Sequence, residues 1–443
     1  MIEAYRIGLL GPYGKGNLGD AAIQESLIHH IRKLLPQAQC VGISLDPRDT
    51  ASRHRIESFP LHLDSEPISR PAWLLSAKKH GTRTFIGRAA LSLFARLHIL
   101  ATKALRFRRE WRFIRSLGLL LIAGGGQIDD YWGGPWRHPF ALMRWCVLAR
   151  LARKQVCFIG VGASRLRSPL SRALIKLALG TASFRSVRDT RSRAYLESLS
   201  IKHVDLTPDP AFGYPLKRID RATDKPRLTI GIQPISAAAW TTRDDPSYRA
   251  YLQQLGELAR QIIDWGHTVL LVSSHVGMDR STIQELHATL VEDLNEEARD
   301  RIIIRMATSV DEFLDALMTC DLTIASRLHG VLLSMVAHRP TMAIAYDTKV
   351  QALMEDSELE QYCVDLNTTT LAEWKATLLA LMTHREATIS TLRSLVARSC
   401  ATITLHLEHV LRLSKFMGQQ GTTTRVGHSP ETIASCASEQ RYG

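Results

Sequence analysis

The stretch YRIGLLGPYGKGNLGDAAI (residues 5–23) begins with a short apolar run, continues through a glycine-rich loop and ends in a helical pattern. An apolar strand followed by a loop and a helix is the first unit of an α/β fold, in which ligands bind at the carboxyl ends of the strands. Similar apolar runs recur along the chain with helical patterns between them. They cover residues 5–11, 39–46, 117–124, 155–163 and 184–189, and then 227–234, 267–275, 301–306, 322–326 and 340–347.

These runs form two sets, separated by the polar, proline-bounded segment YPLKRIDRATDKPR (residues 214–227). Near-continuous apolar strands that alternate with helices are typical of parallel sheets covered on both faces. We therefore predict an α/β fold with two Rossmann-like domains, 1–218 and 226–385, that face each other across a cleft. A C-terminal helix is predicted over residues 386–417, and the polar tail 418–443 is predicted to be disordered.

The composition limits the class of protein. The 443 residues carry a formal net charge of +13, which favours an anionic partner without selecting its class. Seven cysteines without a Cys-x-x-Cys pair indicate reduced thiols. The sequence shows no signal-peptide pattern and no apolar run near the roughly 20 residues that span a bilayer. We expect a cytoplasmic protein that binds no nucleic acid, no metal and no cofactor.

One segment is unusually basic. Residues 70–115 contain twelve Lys or Arg and a single acid, Glu110, with aromatic and aliphatic residues interleaved. The pattern predicts a basic insertion in the first domain. It suits an amphipathic helix on an anionic membrane surface, here the inner face of the cytoplasmic membrane. A helix of the first domain with a solvated basic face explains the pattern equally well, and the sequence leaves both alternatives open.

The loop after the first strand has three interpretations. Residues 14–19 fit Gly-x-Gly-x-x-Gly, and Asp46 ends the second strand where a ribose-binding acid would stand, which suggests a dinucleotide site. The second interpretation is an anion site at the N-terminus of a helix, to which Gly16, Asn17 and Asp20 contribute. In the third, the loop is a tight turn and Asp20 is the N-cap of the helix.

The segment AGGGQIDDYWGGPW (residues 123–136) follows a buried strand. Its glycines, including Gly125 and Gly126, permit close approach of a ligand to the backbone. Asp129 and Asp130 come next, at the edge of the sheet that faces the cleft. They are candidates for a general base, and the alternative is that they cap the following helix.

A further strand ends in Arg188, within FRSVRDTRSRAYLESL (residues 184–199). Arg188 either clamps an anion in the cleft or forms a structural pair with Asp189. Asp209, in the proline-fixed turn after the next short strand, is predicted to have a structural role.

The most informative segment of the second domain is ASRLHGVLLSMVAHRPTMAIAYDTKV (residues 325–350). Arg327 and His329 are predicted to leave a strand with a spacing of two and so to share a face. An arginine, an imidazole and the N-terminus of the following helix would then converge, which suits a phosphate or a carboxylate. Asp347 and Lys349 follow in the exit loop of the next strand.

In this order along residues 11–350, the motifs resemble those of the polysaccharide pyruvyl transferase family. The resemblance rests on a Gly-Asn-x-Gly-Asp loop, a triple glycine at a strand end, an Arg-Asp before a helix, an Asp-Pro at a strand exit, a Ser-Arg-x-His before a helix, and a Tyr-Asp-x-Lys segment. In this chain they are residues 16–20, 124–126, 188–189 with Ser192, 209–210, 326–329 and 346–349.

The resemblance implies a fold like that of GT-B glycosyltransferases, phosphoenolpyruvate as donor, and a sugar hydroxyl pair as acceptor, carried on a lipid or a nucleotide. It implies that the donor is bound by Arg188, Arg327, His329 and Lys349. Asp129 or Asp130 would serve the acceptor, and the loop residues on that side are Gly16, Asn17, Asp20, Gly125 and Gly126. His329 is the candidate acid and one of the two aspartates the base.

Two other functions compete with this one. A nucleotide-sugar glycosyltransferase of the same fold usually carries acidic residues that hold the nucleotide ribose in its second domain. Residues 326–350 instead show Arg327 and His329, and later Asp347 and Lys349, which favours a compact trianion. The other alternative is a dinucleotide-binding protein built around residues 14–19.

Overall fold

The computed structural model describes residues 5–62, 85–131, 133–217, 226–237, 245–292 and 294–419, with the backbone alone for 85–97 and 415–419. Nearly all of the tail that is predicted to be disordered lies outside the described residues, as does the first part of the basic insertion. No helix among the described residues combines the length and the apolar composition needed to cross a bilayer. The six cysteines that the structure describes are all unpaired, as predicted.

The first sheet has seven parallel strands in the order β3-β2-β1-β4-β5-β6-β7. The strands are β1 Arg6–Leu10, β2 Gln39–Ser44, β3 Glu57–Pro60, β4 Leu119–Ala123, β5 Gln155–Val161, β6 Phe184–Val187 and β7 Asp205–Leu206. The helices between them are α1 Leu18–Leu34, α2 Pro47–His54, α3 Phe85–Ser116, α4 His138–Leu151, α5 Pro169–Gly180 and α6 Thr190–Ser198.

The second sheet has six parallel strands in the order β10-β9-β8-β11-β12-β13. The strands are β8 Thr229–Gln233, β9 Thr268–Val272, β10 Ile302–Arg305, β11 Leu322–Ala325, β12 Thr341–Ala345 and β13 Cys363–Asp365. Its helices are α7 Pro246–Asp264, α8 Arg280–Glu292, α9 Glu296–Arg299, α10 Val310–Met318, α11 Leu328–Val336, α12 Thr348–Asp356, α13 Leu371–Thr383 and α14 Arg385–Gln419.

The predicted fold of two Rossmann-like units is confirmed, and each of the ten apolar runs contains a strand. The edge strands β3 and β13 were not predicted. Both are short and only partly buried, so they lack the continuous apolar run that marks the central strands.

The long helix α14 returns from the second sheet to the first. The Nδ1 atom of His406 lies 2.6 Å from Oγ1 of Thr207, and Oγ1 of Thr404 lies 3.3 Å from Nδ1 of His30. One hydrophobic core cluster continues from the first sheet through α1 into the second sheet and α14. The two units are therefore packed against each other over a shared apolar junction.

Backbone hydrogen bonds also join the units beside the glycine-rich loop. The amide of Leu18 donates to the carbonyl of Ser274 (3.0 Å), and the amide of Val276 donates to the carbonyl of Gly16 (2.9 Å). At another point of contact, Arg191 of α6 pairs with Glu355 of α12 (2.7 Å). All of these residues follow the carboxyl ends of strands or lie in the helices beyond them, so the two sheets present these edges to each other across the cleft.

Candidate functional site

A cavity of about 590 Å³ lies in the cleft. This volume is within the range of about 300–1,000 Å³ that is typical of small-molecule sites. Four of the residues singled out in the sequence line it, namely Asp129, Asp130, Arg188 and Lys349, together with Arg165, Arg167, Arg191, Tyr131, Tyr195 and Tyr346. The structure thus brings predicted residues from both units to one cavity.

Asp129 and Asp130, which the sequence does not distinguish, have different environments. Both carboxylate oxygens of Asp130 accept backbone hydrogen bonds, from Arg167 and Ser168 at 3.0 Å each. Burial alone would raise the pKa of Asp130, but hydrogen bonding and the charge of Arg167 together outweigh burial and hold the pKa below its ordinary value. Asp130 therefore fixes the loop before α5, which favours Asp129 over Asp130 as the base and leaves that assignment a prediction.

Asp129 faces the cavity. One of its oxygens accepts from the amide of Tyr131 at 2.6 Å, and the other lies 3.6 Å from Nζ of Lys349. Lys349 stands in the first turn of α12 rather than in an open loop, and it also lies 3.7 Å from Asp347, the N-cap of that helix. The pair Asp129–Lys349 therefore spans the cleft from one unit to the other and is only partly buried.

Arg188 stands at the inner end of the cavity, and its side chain is 6% exposed. Its guanidinium lies 3.0 Å from Asp209 and 3.4 Å from Asp189. Gly162 makes room for it, because a Cβ there would lie 2.8 Å from Cζ of Arg188. Arg188 thus forms structural ion pairs, as one interpretation predicts, and it also lines the cavity, while its role as an anion clamp stays a prediction.

His329 does not line this cavity but lies next to it, in a buried cluster with Asp20 and Asp209. Its Nε2 atom is 3.7 Å from the Asp209 carboxylate. Burial alone would raise the pKa of Asp209, but His329 and Arg188 outweigh it and hold the pKa below its ordinary value. Burial raises the pKa of Asp20 to about 6, although His329 and Arg188 oppose the rise. Asp20 is therefore a carboxyl group that titrates near neutral pH.

Asn17, and not Asp20, is the N-cap of α1, which corrects one of the three interpretations of this loop. Its side-chain oxygen accepts from the amides of Gly19 (3.0 Å) and Asp20 (3.5 Å), and its amide group donates to the Asp20 carboxylate (2.8 Å). The amide of Leu18 is bonded to Ser274. The first three amides of α1 are therefore occupied, which removes the basis for an anion site at this helix N-terminus.

The same geometry argues against a dinucleotide in this loop. The side of Gly19 that a pyrophosphate would approach is covered by the ring of His329, and Asp46 is the N-cap of α2, where it accepts from the amides of Arg48 and Asp49. The Gly-x-Gly-x-x-Gly spacing serves the junction between the units instead. Gly16, for example, has a φ of +75° and a carbonyl bonded to the second unit.

The glycine run after β4 leaves open space beside this cluster. A Cβ on Gly125 would lie 3.7 Å from the nearer oxygen of Asp20, and a Cβ on Gly126 would meet no atom within 4 Å. Gly125 also adopts a φ of +61°. The run therefore lets a ligand approach the Asp20 carboxylate from this side.

Arg327 and His329 do not share a face, which corrects the prediction made from their spacing. Strand β11 ends at Ala325, Arg327 is the N-cap of α11, and His329 lies within that helix. The guanidinium of Arg327 makes two hydrogen bonds to Asp279, at 2.5 and 2.8 Å, whereas His329 turns towards the first unit. The two side chains therefore belong to different contacts.

Asp279 was not identified from the sequence. Its carboxylate is fully buried and accepts hydrogen bonds from Arg327, from the amide of Ser236 and from the hydroxyl of Ser273. Arg165, Arg167 and Arg191 at the cavity were also missed. Arg165 and Arg167 follow the end of β5, so the rule that sites form at strand ends could have found them. The guanidinium of Arg167 packs over the ring of Tyr131 at 4.9 Å.

Comparisons with known proteins bear on the family and the fold of the chain. A family model described as polysaccharide pyruvyl transferase matches residues 17–348. The amylovoran biosynthesis protein AmsJ of Erwinia amylovora is 23% identical over 390 residues, which are 82% of this chain and 88% of that protein.

Solved structures share the fold. A putative UDP-N-acetylglucosamine 2-epimerase from Listeria monocytogenes superposes with a TM-score of 0.55 at 10% identity, over 92% of this chain and 97% of that chain. The S. aureus MnaA–UDP structure superposes with a TM-score of 0.52 at 10% identity, over 88% and 90% of the two chains. At such identities the likeness shows the fold alone, which is the GT-B type.

Proposed function

The chain belongs to the polysaccharide pyruvyl transferase family, and from this premise we propose that it transfers the pyruvyl group of phosphoenolpyruvate to two hydroxyls of one sugar in a polysaccharide precursor, forming a pyruvate ketal. The likeness to a protein named for amylovoran biosynthesis supports a role in making a surface or secreted polysaccharide. We place the reaction in the cytoplasm and the precursor on a lipid or nucleotide carrier.

The observation that carries the proposal is the cationic character of the cavity in the cleft. Five cations line it, Arg165, Arg167, Arg188, Arg191 and Lys349, against four aspartates, Asp129, Asp130, Asp189 and Asp347, so the lining carries a net positive charge. Phosphoenolpyruvate is compact and carries close to three negative charges, so it needs several cations within a small volume. A nucleotide sugar spreads its charge over a longer ligand, so cations concentrated in one small volume match it less well than they match phosphoenolpyruvate.

Donor binding would use cations from both units. Lys349 pairs with Asp129 across the cleft, and both side chains are partly exposed, so an arriving anion can replace that contact. Arg188 is held in place by Asp209 and Asp189 and would contribute a fixed positive charge. The role of Arg327 is proposed on the family resemblance, and its bonds to Asp279 hold it at the carboxyl edge of the second sheet.

The reaction needs one proton on carbon and loses one from each hydroxyl. Protonation of the donor methylene makes it a methyl group and leaves a cation-like centre, which the first sugar hydroxyl attacks as it loses its proton. Phosphate then leaves with the C–O bond electrons, and the second hydroxyl closes the ketal as it loses its proton. The two hydroxyl protons balance the one on carbon and the one that hydrogen phosphate retains.

The buried cluster supplies candidates for the acid. His329 is the proposed donor of the methylene proton, and the Asp209 carboxylate at 3.7 Å orients its ring. Asp20, whose pKa burial raises to about 6, can hold a proton beside it near neutral pH. Asp129 is the proposed base for the sugar hydroxyls, because it faces the cavity and Asp130 is committed to backbone amides.

The test is to incubate the purified protein with phosphoenolpyruvate and lipid-linked glycans extracted from a producing strain. We expect one phosphate released for each glycan that gains the mass of pyruvate less one water. A parallel reaction with nucleotide sugars in place of phosphoenolpyruvate is the control. Transfer of a sugar in the control, with no ketal in the test reaction, would establish a glycosyltransferase and refute the proposal.

A further inference from the structure

Helix α3 is much longer than the sheet that it covers. It has 32 residues, which correspond to about 48 Å, whereas a five-residue strand such as β4 spans about 17 Å. Its C-terminal end lies at the amino edge of the sheet, where the hydroxyl of Ser116 accepts from Arg6, the first residue of β1. From there the helix runs back towards the carboxyl edge, which is the edge that carries the cleft.

Contacts with Phe59 show where α3 passes that edge. The ring of Phe113 stacks on Phe59 with centroids 4.3 Å apart, and the guanidinium of Arg109 lies 5.4 Å from the Phe59 centroid. Phe59 is the third of the four residues of β3. Residues 85–108 of α3 therefore lie beyond the carboxyl edge, as a projecting arm about 36 Å long.

Apart from His98 and Thr102, whose hydroxyl donates to the His98 carbonyl, the described side chains of the projecting arm are apolar or cationic. Leu100, Leu105 and Phe107 are 62%, 64% and 46% exposed, and Lys103 and Arg108 are exposed as well. The one acidic residue of α3 is Glu110, which is buried and paired with Arg144, so no carboxylate of this helix offsets the cations. Exposed leucine and phenylalanine next to lysine and arginine is the composition of a helix that lies in the headgroup region of a bilayer.

We propose that the projecting arm binds the surface of an anionic bilayer. Charge complementarity favours anionic lipid over a second copy of this chain, because two arms of the same positive charge repel each other. This attachment does not depend on which reaction the cleft performs. Since the arm extends past the edge that carries the cleft, it would also hold the cleft near lipid-linked acceptors, and that consequence rests on the proposed function.

The experiment is sedimentation of the full-length protein with vesicles of phosphatidylcholine alone and of phosphatidylcholine mixed with phosphatidylglycerol. We expect binding to the anionic vesicles only, weakened but not abolished by high salt, because apolar insertion resists screening. The triple variant Lys103→Gln, Arg106→Gln, Arg108→Gln removes the described lysine and arginines of the arm and should bind at least about tenfold more weakly. These positions avoid Arg109, which packs on Phe59.

The matched control is Lys176→Gln, Lys202→Gln, Arg299→Gln, which removes the same charge from exposed positions on other faces. It should bind anionic vesicles as the unaltered protein does. Equal loss in both triple variants would show a nonspecific effect of net charge and overturn the proposal. Equal sedimentation with both vesicle types, or with neither, would also overturn it. The same holds if the unaltered protein is a dimer that binds no vesicles and the triple variant with Lys103→Gln is a monomer. Ketal formation on a soluble acceptor should be unchanged in both variants, so failure of the membrane proposal is separable from failure of the proposed reaction.

Discussion

The imidazole ring of His329 occupies the space that a side chain on Gly19 would fill: a Cβ at position 19 would lie 2.1 Å from Cγ of His329. Gly19 lies in the first turn of α1 and His329 in the first turn of α11. The His329 side chain therefore packs against the N-terminal turn of α1 at the junction of the units. Only a glycine permits this approach, which brings His329 to Asp20 and Asp209.

Gly19→Ala should therefore displace His329 without unfolding either unit. Because the ring would move out of the cluster, we expect kcat to fall at least about a hundredfold, the range of a lost general acid. Gly180→Ala is the control, since a Cβ there meets no atom within 4 Å. A Gly19→Ala enzyme with normal kcat would show that the contact is not needed for turnover.

His329→Asn tests the same residue directly. If His329 donates the proton, kcat should fall by about 10²–10⁴ while the affinity for phosphoenolpyruvate, measured by calorimetry, changes little. If the ring only binds phosphate, affinity and kcat should fall together. Near-normal turnover would remove His329 from both roles.

The central strands were predictable because each is a continuous apolar run. Arg327 and His329 were placed wrongly because only Ser326 and Arg327 separate the end of β11 from the start of α11, so a strand spacing does not apply. The cluster of His329 with Asp20 and Asp209 depends on how the two units pack against each other, and no local pattern encodes that packing. Likewise, the environment of Asp130 differs from that of Asp129 because two amides of the loop after β5 donate hydrogen bonds to the Asp130 carboxylate.

The two adjacent aspartates should respond differently to the same substitution. Asp129→Asn should lower kcat and leave stability nearly unchanged, because this side chain faces the cavity. Asp130→Asn should destabilise the fold by about 1–3 kcal/mol, because its side-chain amide group cannot accept one of the two backbone hydrogen bonds. Thermal unfolding and initial rates measured on both variants check this, and the reverse pattern would assign the base to Asp130.

Asp20 should make stability depend on pH in an unusual direction. Its pKa in the folded protein is about 6, raised by burial from 3.8. The folded state thus holds this proton more tightly than the unfolded chain, and the resulting stabilisation is present below about pH 4 and lost as the pH rises through about 6. The rise of about two pH units in pKa corresponds to about 3 kcal/mol.

The Asp20→Asn variant should not lose this stabilisation as the pH rises, because it has no carboxyl group at position 20. Between pH 4 and pH 7 the stability of the variant relative to the unaltered protein should therefore increase by up to about 3 kcal/mol, whatever the offset at either pH. Urea unfolding at several pH values measures it. A difference that stays constant across this range would mean that Asp20 does not titrate there.

Arg327 can be tested as a residue that binds phosphoenolpyruvate only if that role is separated from its structural ion pair with Asp279. Arg327→Ala leaves the fully buried carboxylate of Asp279 without its charged partner, and loss of one member of a buried pair costs about 3–5 kcal/mol. We expect this variant to be strongly destabilised, so its loss of activity would not identify a binding residue. The double variant Arg327→Gln, Asp279→Asn removes both charges and should recover most of the stability, because the two amide side chains can bond to each other and to Ser236 and Ser273.

Donor affinity in the double variant then decides the role of Arg327. If its guanidinium contacts phosphoenolpyruvate, affinity should fall by about ten- to a hundredfold, the cost of one charge-assisted hydrogen bond. Arg327→Lys keeps the charge but loses the two-point contact with Asp279. Its affinity for phosphoenolpyruvate should lie between those of the unaltered protein and the double variant. Unchanged affinity in a stable double variant would assign Arg327 to the support of the second sheet alone and leave Arg188 and Lys349 as the donor-binding cations.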